Sequence, residues 1–316
     1  MKYVTTHSMK LQQGFTLIEL MISLVLGLLI SAAIIQVFIT SQRVDRVQTA
    51  GSDIQDKAVF GLQAIESQIR LANLGNNGVA INDTTSLGGI ILTVGNENAS
   101  NVNAAVKNGN QAGNFVTRTV TTNLSNTDIP SDQLTIQYIN TTGQVLFDCE
   151  GEKIEQNAHV ITRYFVIEDS TKTKKNRKNL NLNCDSGRIV NQEAKNFTDN
   201  GQTIIENIDQ FNIRLGVQQP VVNAGKTSYE YTDMSINQYM ALPAANAKPP
   251  IVNIRVAILA RSTANSPDDS ASEFTILGTT QTLKTETNAP KYLRRVYETN
   301  TLLRNARIVN VINSVR

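Results

Sequence analysis

The chain has 316 residues, which is long enough for one large domain or two ordinary ones with a sizeable core. Its 29 basic and 27 acidic residues leave a formal net charge of +2, so no overall field favours nucleic acid or an anionic lipid surface. Aromatic residues make up only 5 % and tryptophan is absent, so few side chains can stack on bases or sugars. We therefore expect no nucleic-acid partner.

The N-terminus consists of a short polar leader and a long apolar segment. Residues 1–14 carry Lys2 and Lys10 as their only formal side-chain charges, and residues 15–39 contain one ionisable side chain, Glu19. As an α-helix, the apolar segment is about 37 Å long, enough to cross the hydrocarbon core of a bilayer. Because the lysines precede it, the positive-inside rule places the leader in the cytoplasm and the rest of the chain outside. The sequence predicts a membrane-spanning helix over 15–39.

Three simpler interpretations of this segment compete. An ordinary secretory signal would use Ser31-Ala32-Ala33 as its cleavage site, but such a signal has an apolar region of about 7–15 residues and no embedded carboxylate. An uncut membrane anchor and a buried core helix are the other two, and neither gives a reason for Glu19.

The presence of Glu19 favours the interpretation that the apolar segment is cleaved from its leader. A carboxylate inside a bilayer span costs about 2.5–3.5 kcal/mol on insertion scales, and such residues are generally functional. It also lies near the start of the helix, where the macrodipole favours a negative charge. Cleavage between Gly14 and Phe15 would create an α-amino group on Phe15, which is a natural counter-charge for Glu19 of a neighbouring copy.

The stretch Gly14–Leu20, with the sequence GFTLIEL, resembles the class III signal of type IV prepilins and type II secretion pseudopilins. In that family a prepilin peptidase cuts after the glycine at the cytoplasmic membrane face and methylates the new N-terminal residue. The glutamate at the fifth mature position is expected to pair with the N-terminal amine of a neighbouring subunit. The resemblance implies that Gly14 and Phe15 form the processing site, with N-methylation of Phe15, and that Glu19 is the assembly residue.

From Thr40 the pattern becomes amphipathic, with apolar residues at spacings of mostly three and four and charged residues largely off that stripe. The stripe consists of Val44, Val47, Ile54, Ala58, Leu62, Ile65 and Ile69. Gly75 and the asparagines after it supply a stop signal. We predict one helix from Phe15 to Leu74, whose amphipathic half, residues 40–75, packs on the globular domain.

After Gly78 the chain changes to short β-type runs separated by Asn, Gly, Asp and Ser. The predicted strands include Gln133–Ile139, Val160–Glu168, Thr203–Ile208, Phe211–Gln218, Tyr229–Asp233, Ile251–Ala260, Thr275–Thr280 and Leu293–Glu298. Asn96–Asn114 and most of Gln219–Lys248 are predicted to be surface loops. We expect residues 76–316 to form a periplasmic, antiparallel β-rich globular domain on the helix, giving an α+β fold like that of type IV pilins.

Cys149 and Cys184 are the two cysteines of the chain, and the predicted topology places both in an oxidising compartment. This favours one structural disulfide, worth about 3–4 kcal/mol in the loop-entropy model, over free or intermolecular thiols. Two cysteines argue against a cysteine-built metal site. We expect no metal and no cofactor.

The charge run Lys172–Lys178 lies between the two cysteines. Such a cluster attracts phosphates, but no aromatic residue interleaves it, so a solvated hairpin tip is the favoured interpretation over a DNA contact. His159 is the single histidine of the exported part, and no nucleophile motif or metal-ligand spacing accompanies it. We therefore expect that the protein is not an enzyme.

Three further stretches resemble the PilW family of type IV pilus minor pilins: Ile204–Val217, Ile254–Ser262 and Leu293–Asn305. A mature chain of 302 residues, which is 316 minus 14, is also larger than a typical major pilin. PilW proteins are similar to the J pseudopilin of type II secretion. In both systems a small set of minor subunits is thought to form a tip complex that primes assembly.

The PilW resemblance implies a place and a set of partners. The place is the inner membrane of a Gram-negative bacterium, with the globular domain in the periplasm, and then the pilus tip at the cell surface. The implied partners are other minor pilins, a tip adhesin, the major pilin, the inner-membrane assembly platform and prepilin peptidase. The alternatives are a J-type pseudopilin of a type II secretion system, a surface binding module on the same helix, and an anchored periplasmic enzyme.

Overall fold

The computed structural model describes residues 14–76, 79–93, 115–120, 124–171, 178–190, 193–196, 200–223, 226–243, 248–266, 271–285 and 291–306. The chain divides into two compact units, Met1–Thr49 and Ala50–Arg316. Three expectations lie largely outside the described residues: the polar leader before Gly14, the loop 96–114, and the charge run from Lys172 to Arg177.

Helix α1 spans Leu17–Ile69 and crosses the boundary between the two units. Its part in the first unit is rich in Leu, Ile, Val and Ala, and none of its most apolar stretch is buried. Its part in the second unit buries one stripe. The buried residues of this stripe are Ala50, Ile54, Ala58, Gly61, Leu62, Ile65 and Ile69. The predicted stripe is therefore confirmed from Ile54 to Ile69.

The helix ends five residues before the predicted Leu74 because the chain turns to meet the sheet. Residues 70–75 form turns, in which Asn73 and Gly75 take positive φ angles of 66° and 81°. The Asn73 N–H donates to the carbonyl of Gln137 at 3.1 Å. This bond satisfies a backbone group at the unwound end of the helix, where no intrahelical partner exists.

Within the described residues, thirteen strands follow in chain order. They are β1 (Arg118–Thr119), β2 (Asp132–Ile139), β3 (Leu146–Phe147), β4 (Lys153–Ile154), β5 (His159–Glu168), β6 (Leu180–Val190), β7 (Glu193–Lys195), β8 (Gln202–Asn223), β9 (Lys226–Met234), β10 (Ile251–Asn265), β11 (Glu273–Ile276), β12 (Thr279–Thr282) and β13 (Tyr292–Leu302). Helix α2 (Ile236–Met240) lies between β9 and β10, and a 3-10 turn (Arg304–Ala306) follows β13.

Nine of these strands form one sheet with the order β1-β2-β5-β6-β8-β10-β13, while β7 pairs with β6 and β9 pairs with β8. All the pairings in it are antiparallel. Two separate hairpins, β3–β4 and β11–β12, complete the second unit. Buried side chains of the sheet, such as Tyr164, Ile205 and Phe211, share one core with the stripe of α1. The fold is α+β, with the helix packed on an antiparallel β-rich domain.

Two loop and strand predictions are wrong because turns were misplaced. The predicted strands 203–208 and 211–218 are one strand, β8, with an irregular register and a positive φ of 56° at Asn207. This strand runs on to Asn223 and forms a hairpin with β9, so much of the predicted loop 219–248 is sheet. The predicted strand 275–280 is instead the β11–β12 hairpin, because Leu277 and Gly278 take positive φ angles of 49° and 76°.

Strand β6 is the longest element that the sequence did not predict. Its residues LNLNCDSGRIV contain the Asn, Asp, Ser and Gly that usually mark loops. The structure buries these polar groups and gives them partners from other strands. Asn183, for example, donates to the carbonyl of Asn200 at 2.7 Å and accepts from the Thr203 hydroxyl at 3.0 Å. Buried and bonded polar groups are compatible with a central strand.

Gly61 allows α1 to approach the start of β8. A Cβ atom at this position would lie 2.2 Å from Cγ1 of Ile205. We expect Gly61→Ala to lower the free energy of unfolding by about 1–3 kcal/mol through overpacking, offset in part by about 1 kcal/mol of helix propensity. Thermal unfolding of the full chain in detergent, followed by circular dichroism, measures this.

Gly51→Ala is the matched control on the same helix. The nearest atom to its added Cβ is Cδ2 of Leu293 at 3.8 Å, an ordinary contact. This variant gains helix propensity without overpacking, so its stability should rise by up to about 1 kcal/mol. Equal effects of the two substitutions would contradict close packing at Gly61.

Candidate processing and assembly site

The predicted processing junction lies directly before helix α1. Gly14 and Phe15 are both exposed and precede the first helical residue, Leu17. Thr16 caps the helix, because its hydroxyl oxygen accepts the Glu19 N–H at 3.4 Å and its carbonyl accepts the Leu20 N–H at 3.2 Å. The junction is therefore an exposed segment that ends at a capped helix start.

Thr16 and Glu19 stand at the first and last positions of a capping-box pattern. Glu19 is the acidic residue of the first turn, where the helix dipole stabilises a negative charge. The T-x-x-E spacing was a usable signal for the helix start, and our sequence interpretation did not apply it. The Glu of the class III motif thus has a local position that favours its charge as well as a predicted role in assembly.

The apolar side chains of the first unit are open to their surroundings. Every large apolar side chain from Phe15 to Ile39 is between 49 % and 79 % exposed. Within the described part of the chain, α1 is the one helix that is long and apolar enough to cross a membrane. Exposure on this scale rules out a buried core helix and indicates a lipid or protein environment.

The Glu19 carboxylate has no ion-pair partner within residues 14–49. The two hydroxyl groups beside it bond to the Glu19 backbone: Thr16 accepts the Glu19 N–H at 3.4 Å, and Ser23 donates to the Glu19 carbonyl at 2.7 Å. A carboxylate in this position can accept charge-assisted hydrogen bonds from an ammonium group.

Cys149 and Cys184 are joined by a disulfide, which confirms the predicted bridge. Cys184 is buried in β6, and Cys149 lies in the turn between β3 and β4. Two polar contacts reinforce the same attachment: Arg188 pairs with Asp148 at 2.7 Å, and the Ser186 N–H donates to Glu150 at 2.9 Å. The β3–β4 hairpin is therefore fastened to β6.

His159 begins β5, and its Nε2 atom lies 3.0 Å from Oε1 of Gln137. Burial lowers the pKa of His159 to about 4, so the ring is neutral at physiological pH. Among the residues that the structure describes, no group of three or more His, Cys, Asp and Glu side chains could hold a metal ion. His159 is a hydrogen-bonded strand residue in this fold.

The three PilW-like stretches lie side by side. They fall in β8, β10 and β13, which are consecutive neighbours in the sheet. Ile258 of β10 is paired with Phe211 of β8 on one side and with Tyr297 of β13 on the other. Stretches that are separate in the sequence thus form one continuous surface of the fold.

One residue from each stretch contributes to a buried ionic cluster, which we call the Asp209 cluster. Asp209 Oδ2 lies 2.6 Å from Arg294 Nε, and Asp209 Oδ1 lies 3.8 Å from Arg261 Nη1. The Asn126 amide also donates to Asp209 at 2.7 Å. The three charged side chains are at most 5 % exposed. Our sequence interpretation missed this cluster, because its members are scattered along the chain.

The third stretch ends at the turn that follows α1. The Asn73 amide donates to the Asn305 carbonyl at 2.8 Å, and the Asn305 amide donates to the Ala72 carbonyl at 3.1 Å. Asn73 is fully buried and also accepts the Gly89 N–H at 3.0 Å. The end of the PilW-like region is therefore bonded to the end of the helix.

Two family models match the chain. Residues 163–305 match the family described as Type IV Pilus-assembly protein W, and residues 9–35 match the prokaryotic N-terminal methylation motif. The first match contains all three stretches of the sheet, and the second contains Gly14, Phe15 and Glu19. The two matches support a PilW-family type IV pilin with a class III signal. Pilins are structural proteins, and this family implies interaction with other pilus components and with a prepilin-processing system.

Among solved structures, the PilW-family chain is similar to a type IV-like pilin, TTHA1219, from Thermus thermophilus. The sequence identity is 10 % and the TM-score is 0.38, and the match covers 80 % of this chain and 98 % of that chain. No curated protein sequence matches the chain significantly.

The Asp209 cluster generates a prediction for stability. Asp209→Asn removes a counter-charge that two buried guanidinium groups share, so we expect the free energy of unfolding to fall by about 3–5 kcal/mol. Urea unfolding of the full chain in detergent measures the change.

Asp233→Asn is the control, because it removes one partner of an exposed pair. Asp233 lies 2.6 Å from Arg255, and both side chains are at least 33 % exposed. Loss of this pair should cost at most about 1 kcal/mol. A similar cost for both variants would show that the buried cluster contributes no more than a surface ion pair.

Proposed function

We propose that this PilW-family chain is a minor pilin that enters the type IV pilus at its tip complex and helps to initiate pilus assembly. The observation that carries the proposal is Glu19, a single carboxylate in an exposed apolar segment directly after the Gly14–Phe15 junction. The class III signal and the apolar N-terminal helix indicate membrane anchoring and pilus incorporation. The tip location and the initiating role are our inference from the family.

The physical reason for cleavage is charge. Before processing, Lys2 and Lys10 hold the leader on the cytoplasmic side, because each lysine would cost several kcal/mol to move through hydrocarbon. After cleavage, the new amine on Phe15 is the remaining charge on that side. This amine pairs with Glu19 of a neighbouring subunit, and the apolar helix passes from lipid into a bundle of similar helices. Processing thus permits the step from membrane to filament.

The proposed domain roles follow from this step. Residues 1–14 are the leader that is removed, and residues 15–39 occupy first the membrane and then the filament core. Residues 40–75 form the amphipathic half of the N-terminal helix, and residues 76–316 form the globular domain. In this proposal the domain faces the periplasm of a Gram-negative bacterium before it reaches the cell surface, and it acts without catalysis or cofactor.

The proposed partners are other minor pilins, a tip adhesin, the major pilin, the inner-membrane assembly platform and prepilin peptidase. The mature length of 302 residues, which is 316 minus 14, supports a minor rather than a bulk subunit. In this role the assembly energy comes from a separate motor.

One prediction of the proposed function concerns the mature N-terminus. Mass spectrometry of the native protein should find a chain that begins with N-methylated Phe15, because the Gly14–Phe15 bond is the junction of the class III motif. A chain that begins at Met1, or at Ile34 after Ser31-Ala32-Ala33, would overturn the proposed processing.

Another prediction of the proposed function concerns Glu19. Glu19→Ala should leave the protein in the membrane but reduce its amount in sheared pili at least about tenfold, because a charge-assisted pair contributes about 1.5–3 kcal/mol. Immunoblots of the membrane fraction and of sheared fibres from the same cells measure both quantities.

Two variants serve as controls for Glu19→Ala. Ser23→Ala removes a polar group one turn away, whose hydroxyl bonds only to the Glu19 carbonyl, and should enter pili normally. Glu19→Asp keeps the charge on a shorter side chain and should retain part of the incorporation. Normal incorporation of Glu19→Ala would contradict the pairing role, even if the mature N-terminus is as predicted.

A further inference from the structure

A cavity of about 440 Å³ opens beside the middle of β8 in the second unit. The start of β2 at Asp132, the β8 residues Ile213 and Arg214, the β11–β12 turn, and the start of α2 bound it. Its size lies within the range of about 300–1,000 Å³ that is usual for small-ligand sites. It is separate from the processing junction and from the Asp209 cluster.

One wall of the cavity contains a buried carboxylate that accepts three hydrogen bonds from the protein. Asp132 accepts hydrogen bonds from the Thr119 hydroxyl at 2.8 Å, the Ile213 N–H at 2.9 Å and the Asn212 amide at 3.2 Å. Burial raises the pKa of Asp132, while these donors and the positive charge of Arg214 oppose that rise. Asp132 therefore serves to order the backbone of β8 and to balance Arg214.

Arg214 presents unused donors to the same cavity. Its Nη2 atom donates to the Thr279 hydroxyl at 2.7 Å, which fixes the direction of the guanidinium group. Throughout the described segments, no carboxylate lies within ion-pair distance of Arg214 and no second hydrogen bond from it is present. Because a guanidinium group has several more N–H donors, this half-buried side chain can accept a further partner.

The rest of the lining combines apolar side chains with small polar groups. Ile129, Pro130, Ile276 and Leu277 provide apolar surface, and the exposed amide of Asn237 lies at the rim. Among the described residues of the lining there is no aromatic side chain, so these residues provide no platform on which sugar rings could stack. The cavity thus offers hydrogen-bond donors beside aliphatic surface.

We propose that this cavity binds a carboxylate group carried on a short aliphatic or peptide body, and that Arg214 is the residue that holds the carboxylate. A guanidinium group matches a carboxylate with two parallel N–H···O bonds. The apolar side chains cover the body of the ligand, and the Asn237 amide reaches the outer oxygen. Asp132 already accepts three hydrogen bonds, so Arg214 is the charged group of the described lining that has donors left for a ligand.

The test uses the full chain in detergent micelles with isoleucine δ1-methyl labels, observed by NMR. The cavity supplies two reporters, Ile129 and Ile276, while Ile54 and Ile65 of the helix stripe report on the remainder of the fold. The probes are 4-methylpentanoate, acetyl-alanyl-valine with a free carboxylate, and the same peptide as its C-terminal amide. The expected result is that both acids shift the signals of the two reporters and that the amide does not.

The two acids distinguish the sources of the carboxylate. Tighter binding of the peptide acid identifies a peptide end as the natural class of ligand, whereas equal binding identifies a small organic acid. Binding of the amide as tightly as the matching acid, or the absence of any shift at the two reporters, would overturn the proposal.

Variants of Arg214 test its role directly. Arg214→Gln should weaken binding of the acids at least about tenfold, and Arg214→Lys should weaken it less, because it keeps the charge but loses the planar fork. Arg295→Gln, an exposed arginine of β13 outside the cavity, is the matched control and should bind as the unmodified chain does. Unchanged signals of Ile54 and Ile65 verify the fold, and unchanged affinity of Arg214→Gln would refute the assignment.

Discussion

The buried carboxylate of Asp209 connects β8, β10 and β13, the three strands that contain the PilW-like stretches. Asp209 of β8 is neutralised by Arg261 of β10 and Arg294 of β13, away from water. Because an uncompensated charge in such a place costs several kcal/mol, any arrangement that omits one of these strands is penalised. We interpret the cluster as the constraint that selects this register. The core beneath the sheet, the attachment of the C-terminal stretch and the positions of neighbouring strands all follow from that register.

The parts of the fold that the sequence predicted correctly depend on local patterns. Apolar residues three and four apart gave the buried stripe of α1 from Ile54 to Ile69, and β-branched runs gave β2, β5 and β10. Strand β6 was missed because its stability depends on distant partners. Asn183, for example, is satisfied by Asn200 and Thr203, which no local window contains. The end of the helix was misplaced for a similar reason, since Asn73 bonds to Gln137 of the sheet.

The candidate sites divide in the same way. Gly14, Phe15 and Glu19 are contiguous enough to form a motif, and the thiol count together with the predicted oxidising compartment made the Cys149–Cys184 bridge the favoured pairing. The Asp209 cluster and the Arg214 cavity have no such local signal. Asp209 and Arg294 are 85 positions apart, and Arg214 and Thr279 are 65 positions apart. Charged residues in a polar-rich chain give no sign of which of them will meet until the strands are paired.

The joint at Asn73 has a mechanical consequence. The end of α1 is attached to β2 through the bonds from Asn73 to Gln137 and from Ile139 to Leu74, and to the last part of the domain through Asn305. A pulling force applied along the helix therefore enters the sheet at several bonds together. Hydrogen bonds that are loaded in parallel must rupture simultaneously, whereas hydrogen bonds that are loaded in series rupture one after another. The linkage therefore shares such a load between the turn after α1 and the 3-10 turn after β13.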